Sequence, residues 1–189
     1  MPASESRSAS GLSDNRAMPV PVLLAHGASG TAASMRPHVD GLRVRGIKAT
    51  AIDLPKGRAE RAVPVYAERL REVNGPAVIG GHSYGGRVAS MLAASGDADA
   101  VRGLVLLSYP LHRPGHPEDQ RTEHWPDIHC PVLFLTGDAD PFAGPDLLRA
   151  AMSTLADAKL VVYRRAGHGL GPVLDDAMDQ VAAFVERVS

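Results

Sequence analysis

The stretch Pro76-Ala77-Val78-Ile79-Gly80-Gly81-His82-Ser83-Tyr84-Gly85 decides the fold of this 189-residue chain. Its first half is a short apolar run typical of a buried strand, and small residues follow Gly85 in a segment that predicts a helix. Glycines flank Ser83 at a spacing that suits a sharp strand-to-helix turn, where one residue has strained φ and ψ and a Cβ at either flank would clash. The sequence therefore predicts a nucleophile elbow. The bare pattern G-x-S-x-G is weak evidence, because chance gives it in about one chain of this length in fifteen.

The order of two further residues strengthens this prediction. Asp140 follows Ser83 by 57 residues and His168 follows Asp140 by 28, each just after an apolar run. Serine, then acid, then histidine is the order in which one large class of enzymes carries its catalytic triad. The alternative is a glycine-rich turn whose serine merely caps the next helix.

The composition limits the classes of partner. Twenty basic and 21 acidic side chains give a net charge of −1 without a dense basic block, so we expect no nucleic-acid partner. The single Cys130 cannot form an intrachain disulfide, and no C-x-x-C or H-x-x-H spacing offers a metal site. We therefore expect neither metal nor cofactor, and a reducing, cytoplasmic location. No apolar run approaches the ~20 residues of a membrane span, so no membrane partner is expected.

The chain reads as one domain behind a tail. Residues 1–19 are Ser-rich and polar without the order of a signal peptide, which predicts a disordered N-terminal tail, and translation could begin at Met1 or at Met18. From residue 20 to residue 189, short apolar runs alternate with helix-period segments. Six strands are predicted at residues 21–25, 49–53, 77–80, 103–107, 132–136 and 159–163, and apolar stripes predict helices around residues 35–42, 63–73, 147–155 and 174–188. This pattern predicts an α/β fold with a doubly wound, mostly parallel six-stranded sheet and helices on both faces.

The candidate triad follows from the chemistry that a serine nucleophile needs. Ser83 requires a nearby base, and His168 follows the last predicted strand between Gly167 and Gly169. Asp140 begins the loop after the fifth strand, where it could orient the imidazole and stabilise its charged form. Asp138 competes for this role, although it is better placed to cap the turn.

The oxyanion of a tetrahedral intermediate needs two further donors. The residue after the nucleophile supplies one backbone N–H, here that of Tyr84, and the loop after the first strand is expected to supply the second from Ala28. The alternative for that loop is a simple glycine-rich connector. Arg87, one turn beyond Ser83, could attract an anionic substrate, but a structural or solvent-exposed arginine is the commoner case.

With these residues in place, residues 22–188 resemble the α/β-hydrolase superfamily. The segments 23–28, 81–87, 108–115, 121–124 and 137–142 are similar to a small branch named for a testis-expressed protein and a subunit of the NSL histone-acetylation complex, whose bacterial members resemble dienelactone-hydrolase-like proteins. This resemblance implies a minimal fold and supports Ser83, Asp140 and His168 as the triad. Only residues 111–130 stand where the superfamily carries its cap, so we expect no cap domain.

These observations predict a serine hydrolase, carboxylesterase-like, that cleaves small ester, thioester or lactone substrates through an acyl-enzyme intermediate. Aromatic residues make up only 4% of the chain, which argues against a long apolar acyl channel. The alternative is a catalytically inactive α/β-hydrolase-fold module that binds a partner or acts as a scaffold. Acyl transfer or lyase chemistry on the same triad also stays open, as does the oligomeric state.

Overall fold

The computed structural model describes residues 19–96 and 98–189. The predicted N-terminal tail up to Met18, with both candidate start residues, therefore lies outside the described residues. Strands and α-helices alternate along the rest of the chain, except that no α-helix separates the fourth and fifth strands. The elements are β1 (Val22–Ala25), α1 (Arg36–Arg43), β2 (Ala49–Ile52), α2 (Ala59–Arg71), β3 (Ala77–His82), α3 (Tyr84–Ala93), β4 (Val101–Leu107), β5 (Val132–Gly137), α4 (Pro145–Ala151), β6 (Ala158–Tyr163) and α5 (Leu174–Val188).

All six strands pair in parallel, in the order β2-β1-β3-β4-β5-β6. The chain runs outward from β1 to β2 and then returns to β3 on the other side of β1. This reversal places a crevice at the carboxyl ends of β1 and β3, the position where open α/β sheets bind their ligands. The predicted fold class is confirmed.

Each face of the sheet carries one layer of helices. Leu23, Ile79 and Leu104 face the core that α2, α3 and α4 cover, while their neighbours Leu24 and Val78 face the core that α1 and α5 cover. Because both faces are buried, the central strands need apolar residues at every position. This explains why they read as continuous apolar runs.

The segment between β4 and β5 forms no helical lid. Its one helical element among the described residues is a single 3₁₀ turn, Trp125–Asp127. Trp125 is fully buried, with its ring 5.3 Å from those of Tyr109 and Phe134, which fastens the segment to the sheet. The expected absence of a cap domain agrees with this minimal architecture.

Some element boundaries differ from the prediction. The strand predicted to end at Gly80 continues to His82, because His82 pairs with Leu107 on the neighbouring strand. The helix predicted around residues 147–155 ends at Ala151 and is followed by a 3₁₀ turn, Met152–Thr154. Local periodicity does not contain the pairing that sets such boundaries.

Candidate active site

Ser83 occupies a strained turn between β3 and α3. Its φ of 50° and ψ of −111° lie outside the regions that non-glycine residues prefer. A Cβ at Gly81 or at Gly85 would overlap the carbonyl oxygen of Ala25 at the end of β1. The two glycines therefore let β1 lie directly against the turn, which lifts the hydroxyl of Ser83 above the edge of the sheet.

His168 and Asp140 meet Ser83 at this edge. The Oγ of Ser83 lies 2.8 Å from Nε2 of His168, and Nδ1 of His168 lies 2.9 and 3.0 Å from the two carboxylate oxygens of Asp140. Since the carboxylate only accepts, Nδ1 carries the proton and Nε2 is left free to accept from the serine hydroxyl. The three side chains form a continuous chain of hydrogen bonds.

The two competing aspartates lie in different surroundings. The side chain of Asp140 is fully buried and also accepts a 2.8 Å hydrogen bond from the backbone N–H of Phe142. Asp138 instead accepts a 2.7 Å bond from the backbone N–H of Arg165, where the chain turns after β6. The structure therefore brings Asp140, and not Asp138, against the imidazole of His168.

The amides of Ala28 and Tyr84 border the same site. Both residues line a cleft that contains Ser83, and in the part of the chain that the structure describes neither backbone N–H has a hydrogen-bond acceptor. Tyr84 is the first residue of α3, where the N–H groups have no partner within the helix. Two amides are thus available near the Ser83 hydroxyl.

A buried histidine that the sequence did not single out fastens the loop carrying Ala28. His26 is 2% exposed; its Nε2 accepts from the N–H of Leu54 at 3.1 Å, and its Nδ1 donates to the carbonyl of Gly27 at 2.8 Å. The ring therefore joins the loop after β1 to the loop after β2. The signal was its place at the end of a buried strand, but one sequence does not show what the ring contacts.

His82, the residue before Ser83, supports the loop of His168. Its Nε2 donates a 2.9 Å hydrogen bond to the backbone carbonyl of His168, and the two rings lie 5.1 Å apart. Burial lowers the pKa of His82, which favours the neutral ring. The ring of Phe142 also packs against that of His168, with the two ring centres 4.3 Å apart. Sequence reasoning missed the role of His82 because nothing in the elbow pattern requires a histidine there.

Two open clefts meet at Ser83. The histidine-side cleft, of about 520 Å³, runs between the loop after β1 and the segment that begins α5, and it contains His38, His82 and His168. The arginine-side cleft, of about 550 Å³, lies between the starts of α2 and α3 and contains Arg87. Each is large enough for a small molecule.

A second Ser–His contact lies on the inner side of α3. The Oγ of Ser90 donates to the carbonyl of Arg87 at 2.8 Å and lies 2.8 Å from Nε2 of His124. Ser90 is fully buried, and Nδ1 of His124 has no hydrogen-bond partner among the described residues, so no acid orients the ring. This pair lacks the third member and the open cleft that Ser83 has.

Among residues 19–96 and 98–189, one group has the spacing of metal ligands, the exposed residues His116, Glu118 and Asp119. Ion pairs already connect His116 to Glu118 and Asp119 to Arg113. The described part of the chain contains no helix with the length and hydropathy of a membrane span.

A doubly wound parallel sheet with a serine after its third strand, an acid after its fifth and a histidine after its sixth defines the α/β-hydrolase class. In keeping with this, residues 19–187 match the family described as "Alpha/beta hydrolase domain", and the chain belongs to that family.

Solved structures show the same fold at low sequence identity. A monoacylglycerol lipase of Paleococcus ferrophilus is 16% identical with a TM-score of 0.76, covering 91% of this chain and 97% of its own. A thermophilic esterase of Thermogutta terrifontis is 19% identical with a TM-score of 0.71, covering 89% and 90%. A predicted hydrolase of Thermoplasma acidophilum is 18% identical with a TM-score of 0.74, covering 93% and 89%.

Proposed function

We propose that this protein is a serine hydrolase that cleaves small ester, thioester or lactone bonds, with Ser83 as nucleophile, His168 as base and Asp140 as the residue that orients it. The observation that carries the proposal is the 2.8 Å contact between the Oγ of Ser83 and Nε2 of His168. A serine hydroxyl is a weak nucleophile unless a base within hydrogen-bond reach takes its proton.

The acylation half-reaction uses each group once. The Oγ of Ser83 attacks the carbonyl carbon of the substrate while its proton passes to Nε2 of His168. The carbonyl oxygen becomes an oxyanion that accepts hydrogen bonds from the amides of Ala28 and Tyr84. When the intermediate collapses, the bond to the leaving oxygen or sulfur breaks, and His168 gives its proton to that atom. Asp140 stabilises the imidazolium of His168 that exists between these two proton transfers.

Deacylation repeats the sequence with water. His168 takes a proton from the water, the hydroxide attacks the acyl carbon, and the second oxyanion uses the same two amides. Collapse breaks the acyl bond to Ser83, whose oxygen regains its proton from His168, and the carboxylic acid leaves. Because no helical lid covers the described site, water and small substrates can reach Ser83 directly.

Two features favour ester-type substrates of modest size. The chain belongs to a hydrolase family, and a lipase and an esterase are among the proteins that share its fold. The two clefts at Ser83 are open and of similar size, about 520 and 550 Å³, which suits short substituents on both sides of the scissile bond. The narrower resemblance to the testis-expressed and NSL-subunit branch stays a prediction from the motifs.

The test is labelling by a fluorophosphonate probe together with hydrolysis of p-nitrophenyl acetate. We expect both signals in the parent protein and neither in Ser83→Ala, because the labelled and acylated oxygen is gone. His168→Ala should lose both as well, since the serine then has no base. Ser90→Ala is the matched control, because Ser90 also contacts a histidine but lies buried away from the clefts.

The outcomes separate the two function classes. Labelling that survives in Ser83→Ala, or that is lost in a folded Ser90→Ala, would contradict the assignment of the nucleophile. A folded parent protein that gives neither signal would favour the scaffold or binding module instead. Product analysis with an added alcohol or thiol would distinguish hydrolysis from acyl transfer.

A further inference from the structure

Three guanidinium groups line the arginine-side cleft beside Ser83. Arg58 lies at the start of α2, Arg87 one turn into α3, and Arg121 in the segment between β4 and β5. Only the fold brings these distant residues to one cleft. Because Ser83 and Ala28 line the same cleft, a group held by the arginines would belong to a molecule whose carbonyl lies at the serine.

Arg87 is only partly neutralised by its neighbours. Its guanidinium lies 3.4 Å from a carboxylate oxygen of Glu60 and 3.9 Å from one of Glu123, both longer than a charge-assisted hydrogen bond of good geometry. The two glutamate side chains are 57% and 64% exposed, so water screens them. The Nε of Arg87 is buried and, within the described part of the chain, has no hydrogen-bond partner. Nη1 of Arg87 likewise has no hydrogen-bond partner among the described residues, so the guanidinium retains a donor for a further acceptor.

The guanidinium of Arg121 has even fewer partners than that of Arg87. The one side-chain hydrogen bond that the described residues give it is a long one, 3.4 Å, to the carbonyl of Pro110, and none of their carboxylates lies within ion-pair distance. Burial, and after it the nearby charge of Arg87, lowers the pKa of Arg121. Two like charges in a partly buried cleft repel each other unless an anion lies between them.

We propose that the arginine-side cleft is a carboxylate-binding subsite, so that the substrates of this hydrolase are esters or thioesters that carry a free carboxylate. This inference rests on the proposed function. The three arginines and the two glutamates leave one net positive charge, which matches a carboxylate better than a phosphate group carrying nearly two negative charges at neutral pH. The planar guanidinium also fits the two oxygens of a carboxylate.

The test compares two substrates that differ in one charge, mono-p-nitrophenyl adipate and its methyl ester. We expect kcat/KM of the parent protein to be about tenfold higher for the acid than for the methyl ester, the effect of one or two charge-assisted hydrogen bonds. This ratio should fall towards one in Arg121→Gln and in Arg58→Gln. Arg149→Gln, at an exposed arginine of α4, is the matched control and should keep the parent ratio. General damage to folding lowers both rates and leaves the ratio unchanged.

A ratio near one in the parent protein would overturn the proposal, as would a high ratio that neither variant at Arg58 nor at Arg121 lowers. Inorganic phosphate that competes with the acid substrate at a tenfold lower concentration than monomethyl adipate would overturn the choice of carboxylate. If neither ester is hydrolysed, the proposed function fails, and an NMR titration of the parent protein then decides the subsite. Binding of monomethyl adipate but not of dimethyl adipate, weakened in Arg121→Gln, would support it, and equal or absent binding would refute it.

Discussion

Replacing Asp140 by asparagine should remove most of the proposed hydrolase activity without unfolding the protein. The carboxylate of Asp140 is fully buried and meets Nδ1 of His168 at 2.9 and 3.0 Å, while one of its oxygens also accepts from the N–H of Phe142. An asparagine has only one acceptor oxygen. If that oxygen keeps the bond to Phe142, the amide NH₂ faces Nδ1 of His168, donor against donor.

The imidazole relieves this conflict by moving its proton to Nε2, the nitrogen that faces the Oγ of Ser83. A protonated Nε2 cannot accept the serine proton, and the imidazolium also loses its stabilising charge. General acid–base catalysis as a whole contributes about 10²–10⁴ to the rate. The Asp-to-Asn substitution in the triad of a serine protease lowers kcat by about 10⁴. We therefore expect kcat to fall about 10³- to 10⁴-fold. This corresponds to about 4–5.5 kcal/mol of activation free energy. KM should change little, because Asp140 lines neither cleft.

The assay is steady-state hydrolysis of p-nitrophenyl acetate near neutral pH, with circular dichroism melting to show that each variant is folded. Asp138→Asn is the matched control, because an asparagine oxygen can still accept from the N–H of Arg165. We expect its kcat within about twofold of the parent value, since a surface turn that keeps its hydrogen bond changes little. An Asp140→Asn protein that keeps more than a tenth of the parent kcat would refute this reasoning. An Asp138→Asn protein whose kcat falls by clearly more than about twofold would refute it as well.

Two further predictions concern stability. Gly85→Ala should lower the free energy of unfolding in urea by about 2–4 kcal/mol, because the new Cβ would overlap the carbonyl of Ala25. Gly144→Ala, whose Cβ would meet open space, should change it by less than about 1 kcal/mol. Equal effects of the two substitutions would contradict the packing argument. Burial lowers the pKa of His38 from about 6.5 to about 4, so on acidification His38 is protonated in the unfolded chain before it is in the folded one. The free energy of unfolding should therefore fall by up to about 3 kcal/mol as pH falls from 6.5 to 4. In His38→Gln the loss between pH 7 and 4.5, measured from urea midpoints, should be smaller, and an unchanged pH dependence would count against it.

The strands could be predicted because burial on both faces leaves a local trace. A run such as Ala77-Val78-Ile79-Gly80 is apolar at every position, and this alone indicates a strand between two helical layers. Boundaries were less accessible, since β3 reaches His82 only through its pairing with Leu107, more than 20 residues away. The length of α4 was overestimated for a related reason, because an apolar stripe does not show where a helix tightens into a 3₁₀ turn.

For the candidate site, chain order gave Ser83, Asp140 and His168 as a set, while the choice between Asp140 and Asp138 stayed open. Asp138 and Asp140 follow the predicted strand at residues 132–136 by two and by four residues, a small difference in sequence. In space, the carboxylate of Asp140 meets His168 and that of Asp138 meets the backbone of Arg165. The support that His82 gives to the loop of His168 had no signal of its own.

The sequence by itself determined the class of fold and the order of the candidate triad, because both are properties of local composition and of spacing along the chain. Tertiary structure decided which aspartate lies against His168, that the amides of Ala28 and Tyr84 line the cleft at Ser83, and that arginines of three separate segments share this cleft. Hydrogen bonds and charge interactions act over a few ångströms, so they depend on which residues the folded sheet brings together and not on their distance in sequence.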